Sequence, residues 1–322
     1  MPSVLFRPYE LGIVASRWAL GWRSCAAGAS GDVTPASVFE RAGRAGVFVS
    51  EQGLALRYSE FGCGREKVVV IPGIDDAVHD LHAWPCFWQW YFQPLIDRGY
   101  GVILLGRGRD LPAPLSMEAL AESYAEVIAR WIGCAHLVGI SMGGMIAQHI
   151  AANHPEIVRR LVLAVTGHHV ETAGLAYGRQ LMAHARAGSW HAFLRLANDL
   201  CLSGVLHGLV AALLWAALPL RWLPRFRSPR ERAALDFCTS ANACSAHDAA
   251  QVLSRIQAPT LIWGASADRM FPVSLIEQMR QLLPRAKLVL VKGAHAAFLQ
   301  HRSRFHGSIA AFLDPATSGG EG

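Results

Sequence analysis

Eight short apolar runs, separated by stretches with helical spacing, constrain the fold of this chain more than any other feature. The runs fall at 47–50, 54–61, 68–71, 102–105, 136–140, 161–165, 260–263 and 288–291. Several are unbroken Val, Ile and Leu, the pattern of strands covered on both faces. Between them, Ser116 stands where a helix N-cap should, ahead of Leu120, Tyr124, Val127, Ile128 and Trp131 at helical spacing. A second helix starts near Met142, carries Ile146 and Ile150 on one stripe, and must end before Pro155. Such alternation predicts right-handed crossovers and a doubly wound, mostly parallel α/β sheet. From about 167 to 259 the alternation gives way to helical, apolar sequence. That break predicts a helical cap inserted after strand 6, over the strand ends where such sheets bind ligands.

Composition removes several competing classes. Hydrophobic residues make up 52% of the 322 and charged residues only 17%, which excludes a disordered chain. The net charge of +6 does not signal nucleic-acid binding. The 30 basic residues, all arginine except Lys67, Lys287 and Lys292, are scattered rather than gathered on one face. The one modest cluster is Arg221, Arg225, Arg227, Arg230 and Arg232. Seven cysteines, at 25, 63, 86, 134, 201, 238 and 244, include no CxxC pair. Reduced thiols in a cytoplasmic protein are the expectation.

The strongest local motif is Gly139-Ile140-Ser141-Met142-Gly143, followed by Gly144. It joins a predicted strand to a predicted helix, the context a nucleophile elbow requires. There the serine hydroxyl is raised on a sharp turn, and the flanking glycines leave room for strand and helix to cross. A serine hydroxyl attacks only when an imidazole takes its proton, and the imidazole needs a carboxylate to orient it. In this arrangement the acid and the base follow the serine along the chain. Asp268 comes shortly after the run 260–263, and His295 shortly after the run 288–291, so both belong at strand ends. His301 and His306 lie further on, in a helical stretch, and are weaker candidates for the base.

With Val70-Ile71-Pro72-Gly73, Ala258-Pro259-Thr260-Leu261-Ile262-Trp263-Gly264 and Gly293-Ala294-His295 added, the chain resembles the α/β-hydrolase superfamily from about 47 to 313. The likeness is to its capped serine esterases, lipases and C–C bond hydrolases. It implies an eight-stranded sheet with helices on both faces. It implies catalysis by Ser141, Asp268 and His295 on a small-molecule ester or related acyl substrate, with no cofactor or metal. It also places the oxyanion hole at the backbone N–H groups of Ile74 and Met142. C–C hydrolysis, thioester cleavage and acyl transfer use the same three residues, and a non-catalytic ligand-binding member of the fold is the alternative from outside enzymology. Two features depart from the common pattern. Gly73-Ile74-Asp75-Asp76 replaces a His-Gly turn, with Asp75 or Asp76 expected to cap a helix. Gly106-Arg107-Gly108-Arg109-Asp110 replaces an acidic-and-glycine turn, with Arg107 and Arg109 expected to be structural or solvated and contact with an acidic substrate as the minority reading. The group Asp75, Asp76, His79, Asp80 and His82 lacks the offsets of a metal site.

The domain reading assigns 41–167 and 250–315 to the core, 168–249 to the cap, 1–40 to an extension without an assigned role, and 316–322 to a flexible tail. The most apolar segment, 205–220, is slightly short for a membrane span and carries Pro219 near its end. A buried cap helix is the preferred reading. An interfacial lid giving peripheral membrane contact is the alternative. The aromatic set Trp84, Phe87, Trp88, Trp90, Tyr91 and Phe92 is expected to form a packing face, with substrate-pocket lining as the minority reading.

Overall fold

The computed structural model describes residues 44–216 and 230–314. The expected extension at 1–40, the tail at 316–322, the end of the apolar segment and Arg221, Arg225 and Arg227 lie outside the described residues. All eight apolar runs are strands, and together they form one sheet. In chain order the strands are β1 (Ala45–Val49), β2 (Ala55–Phe61), β3 (Lys67–Ile71), β4 (Gly101–Arg107), β5 (Ala135–Ile140), β6 (Val158–Ala164), β7 (Thr260–Ala265) and β8 (Lys287–Val291). Their order across the sheet is β1-β2-β4-β3-β5-β6-β7-β8. β2 runs antiparallel to both β1 and β4, and the remaining pairs are parallel.

Successive strand residues point to opposite faces, so a strand covered on both sides must be apolar throughout. Val69, Ile71, Ile103 and Leu105 enter one core, with helices α2 (Met117–Val127), α3 (Met142–Asn153) and α8 (Val273–Leu282). Val68, Val70, Val102 and Leu104 enter the other, with α1 (Pro85–Ile96) and α9 (Arg302–Leu313). The Ser116 hydroxyl caps α2 by accepting the Ala119 N–H at 3.1 Å.

Strand order fixes where a site can form. From β3 the chain crosses to β4 on one side, and from β5 it crosses to β6 on the other. The loops leaving β3 and β5 therefore part, and a crevice opens at the carboxyl ends of these adjacent strands. Between β6 and β7 the described residues form four long helices, α4 (Thr172–Arg186), α5 (Trp190–Cys201), α6 (Gly204–Ala216) and α7 (Arg230–Ala246), followed by a single turn at Ala250–Leu253. An isolated bridge pairs His169 with Asp248 at the two ends of this segment. Met182, Trp190, Phe193 and Phe237 form its own apolar cluster, against which Ile74 packs.

Two expectations about apolar segments need correction. The described part of 205–220 is a helix, but it is not buried. Val205, Leu209 and Leu213 are 81%, 58% and 68% exposed. Composition marks a helix as apolar on all sides without saying which side has a neighbour, and α6 packs chiefly on α5. The aromatic set divides as well. Trp88, Tyr91 and Phe92 are buried, whereas Trp84, Phe87 and Trp90 are exposed. Six aromatics within nine residues occupy more than one face of a helix, so they cannot all turn inward.

Candidate active site

Ser141 lies between β5 and α3 with φ 53° and ψ −119°. A non-glycine residue in this region carries strain of about 1–3 kcal/mol, sustained only where its surroundings impose it. Here the Ser141 N–H donates to the Ala164 carbonyl at 2.9 Å, and the Ser141 carbonyl accepts the Gly144 N–H at 2.8 Å. A Cβ on Gly143 would stand 2.0 Å from the Ile71 carbonyl oxygen, and one on Gly139 would stand 2.5 Å from that of Gly143. Both positions exclude any side chain, so the helix can start directly against the sheet.

The three residues read from strand ends meet. His295 Nε2 is 2.9 Å from Ser141 Oγ, and His295 Nδ1 is 2.8 Å from Asp268 Oδ2. The other Asp268 oxygen accepts the N–H groups of Met270 at 2.8 Å and Phe271 at 3.0 Å. The loops carrying acid and base are tied directly, with the Ser266 N–H donating to Val291 and the Ala267 N–H to Gly293. Burial disfavours the imidazolium of His295. The Asp268 carboxylate and its hydrogen bond, helped by Asp75, outweigh that penalty and hold the proton affinity above the ordinary histidine value. This arrangement can orient an imidazole, take a proton from a hydroxyl and stabilise the resulting cation.

Ile74 and Met142 both line the cavity beside Ser141. Each is the first residue of a helix, so its N–H has no acceptor within that helix. Gly73 lets the two loops close on each other: a Cβ there would lie 3.4 Å from that of Ser141 and 2.9 Å from Asp75 Oδ1. The cavity encloses about 500 Å³, part of it open to solvent, and its lining is almost wholly apolar. Val170, Leu181, Phe237, Met270 and Phe271 are among the residues that line it.

Neither acidic residue of the loop after β3 caps a helix through its side chain. Asp76 is buried and accepts the Arg107 N–H at 2.5 Å, while Arg107, also buried, donates from Nη2 to the Gly73 carbonyl at 2.6 Å. Burial pushes the Asp76 carboxyl up to about 6, against the pull of Arg107. Arg109 donates to the Ala77 carbonyl. Both arginines brace the β3 loop, which serves their structural reading. Of the residues once grouped as metal-like, Asp80 pairs with Arg57 at 2.9 Å and His82 Nδ1 meets Ser59 Oγ at 2.8 Å.

Some contributions had no expectation attached. The carbonyls of Leu200 and Cys201, at the end of α5, accept the N–H groups of His295 and Ala296. The inserted helices thus help to hold the imidazole loop. Gly174 and Gly178 open one side of the cavity. Their i, i+4 spacing on an amphipathic helix was the available signal.

The profile of the α/β hydrolase fold matches residues 132–302, more than half of the chain. The chain belongs to the α/β-hydrolase fold family. Part of a polyketide synthase of Burkholderia thailandensis is 30% identical to this hydrolase over 220 residues; the match covers 65% of this chain but only 10% of that protein. A pimeloyl-[acyl-carrier protein] methyl ester esterase of Chromobacterium violaceum is 28% identical over 223 residues, covering 64% of this chain and 82% of its own. A hydrolase from Pseudomonas aeruginosa superposes with a TM-score of 0.65 at 24% identity, covering 85% of this chain and 99% of that one. An α/β hydrolase from a Medee basin deep-sea metagenome library gives 0.71 at 19% identity, with 83% and 97% covered.

Proposed function

We propose that this α/β hydrolase is a serine esterase that cleaves neutral, hydrophobic acyl esters through an acyl-enzyme. The observation that carries the reading is the continuous chain from Ser141 Oγ through both His295 nitrogens to Asp268, at 2.9 and 2.8 Å. His295 takes the Ser141 proton as Oγ attacks the ester carbonyl, and the N–H groups of Ile74 and Met142 receive the developing oxyanion. Losing one such donor typically costs about 3 kcal/mol of transition-state stabilisation. Collapse of the tetrahedral intermediate expels the alcohol, protonated by His295. Water, activated by the same imidazole, then releases the acid and restores the serine.

The substrate class follows from the cavity. Its lining presents little that would pair with a charged acyl group, and burying an unpaired charge there is costly. The methyl ester esterases among the curated relatives support ester rather than amide chemistry. A fluorophosphonate probe should label the wild-type chain and leave Ser141→Ala unlabelled, and the p-nitrophenyl ester series should favour uncharged acyl chains. Labelling that survives Ser141→Ala would overturn the assignment of the nucleophile. A preference for charged acyl groups would overturn the substrate class.

A further inference from the structure

We propose that the exposed face of α6, together with exposed aromatic residues of α1, docks this hydrolase on an anionic lipid bilayer. A helix at a protein surface ordinarily turns its polar side chains to water. α6 does the reverse. Among its thirteen residues His207 is the only polar side chain, and its Nε2 is held 2.9 Å from Asp199 Oδ1 on α5. Val205, Leu209 and Leu213, four residues apart and therefore on one stripe, face solvent.

The stripe adjoins a second exposed apolar group through direct contacts. Gln300 donates from Nε2 to the Ser203 carbonyl, at the start of α6, at 2.9 Å. The turn Ala297–Gln300 exposes Leu299 and touches α1, where the Tyr91 hydroxyl donates to the Phe298 carbonyl at 3.0 Å. Next to it the Arg302 guanidinium stacks on Trp90 with 4.3 Å to the ring centre. Trp90 and Trp84 are 55% and 67% exposed, with Phe87 between them also exposed. Tryptophan bodies beside cations suit the headgroup layer of a bilayer, where an amphipathic ring meets both phases.

Length and charge define the mode of binding. α6 is about 20 Å long at 1.5 Å per residue, short of the roughly 30 Å hydrocarbon layer. Among the described residues no helix is long and apolar enough to cross a membrane. The helix therefore lies in the interface plane. Arg302, stacked on Trp90, places a cation within the exposed apolar group. A cation there favours anionic headgroups over zwitterionic ones.

Binding to lipid does not require the esterase reading, whereas drawing an ester from the bilayer rests on it. The test uses the full chain carrying Ser141→Ala, which separates docking from turnover. It is sedimented with vesicles of phosphatidylcholine alone or of phosphatidylcholine mixed with phosphatidylglycerol. Binding is expected to favour the phosphatidylglycerol vesicles and to weaken by at least roughly tenfold when Leu209→Ser and Leu213→Ser are added. The same two changes in the active background should leave p-nitrophenyl acetate hydrolysis intact, which verifies folding. Failure of the chain to bind either vesicle, or binding indifferent to the two serines, would overturn the proposal. So would a dimer, without vesicle binding, that the serine changes dissociate, since a second copy would then be the occupant. Absence of ester hydrolysis by the wild-type chain, with vesicle binding as expected, would count against the esterase reading alone.

Discussion

Asp268 shows how much of the chemistry depends on one atom's role as acceptor. Its Oδ2 faces His295 Nδ1 and its Oδ1 is engaged by two backbone N–H groups. It therefore selects the tautomer that leaves Nε2 free to take the Ser141 proton. Asp268→Asn keeps the shape but presents an N–H to Nδ1, moving the ring proton to Nε2. We expect kcat on p-nitrophenyl butyrate to fall by about 10⁴ with KM little changed, since the loss lies in the transition state. A decrease of less than tenfold would show that Asp268 does not orient the base. Ser141, Asp268 and His295 were legible in the sequence because each stands a few residues beyond an apolar run, and strand ends lie on one edge of a parallel sheet. The influence of Asp75 on His295 and the partner of Arg107 were not. The reach of Arg107 to the Gly73 carbonyl spans 34 residues, and no local pattern encodes a contact between two different strand ends.

Elements were legible in proportion to how much of their environment the sequence fixes by itself. A strand between two helical layers must be apolar on both faces, so β3 to β7 stood out as unbroken runs. The inserted helices bury themselves on one another and on loops, and their apolar content did not say which face is covered; α6 is the clearest instance. The cavity-lining face of α4 makes a further expectation. A Cβ on Gly178 would meet nothing within 4 Å, and Gly178 lines the cavity opposite Phe237 and Cys244. Gly178→Leu would place its side chain in the cavity proposed to take the acyl chain. It should also favour the helix by about 0.8–1 kcal/mol relative to glycine, so the fold should not suffer. Turnover of p-nitrophenyl octanoate should fall by roughly tenfold or more, while that of the acetate stays within about twofold, as expected when methylenes lose their pocket. An unchanged chain-length profile would mean that the acyl group lies elsewhere.

Across the whole molecule, buried histidines set the response to acid. Burial lowers His247 and His306 to about 3 and His82 to about 4. Each stays neutral in the folded chain while the unfolded chain takes up a proton below about 6.5. Their contribution is fully present above that pH and is lost as pH falls towards the folded values, by up to about 1.4 kcal/mol per histidine for each pH unit within the window. Asp76, raised to about 6, acts in the opposite sense. Its folded form accepts a proton while the unfolded carboxylate is still ionised, so it adds stability as pH falls from about 6 towards 4. Burial lowers His136, His149 and His168 as well. Six histidines thus oppose Asp76 and His295, whose proton affinity is raised. The midpoint of thermal unfolding should therefore drop between about pH 8 and about pH 5.5. His306 isolates the cause. It is buried against Tyr91, Phe92 and Phe305, and neither ring nitrogen has a hydrogen-bond partner among the described residues. His306→Phe replaces it with a ring that never takes a proton and has no polar atom to leave unpaired. The variant should gain more over wild type at about pH 5.5 than at about pH 8, flattening the pH profile of the midpoint. Parallel profiles for the two proteins would show that this imidazole is already hydrated or paired in solution, and the acid sensitivity would then have to come from the other buried histidines.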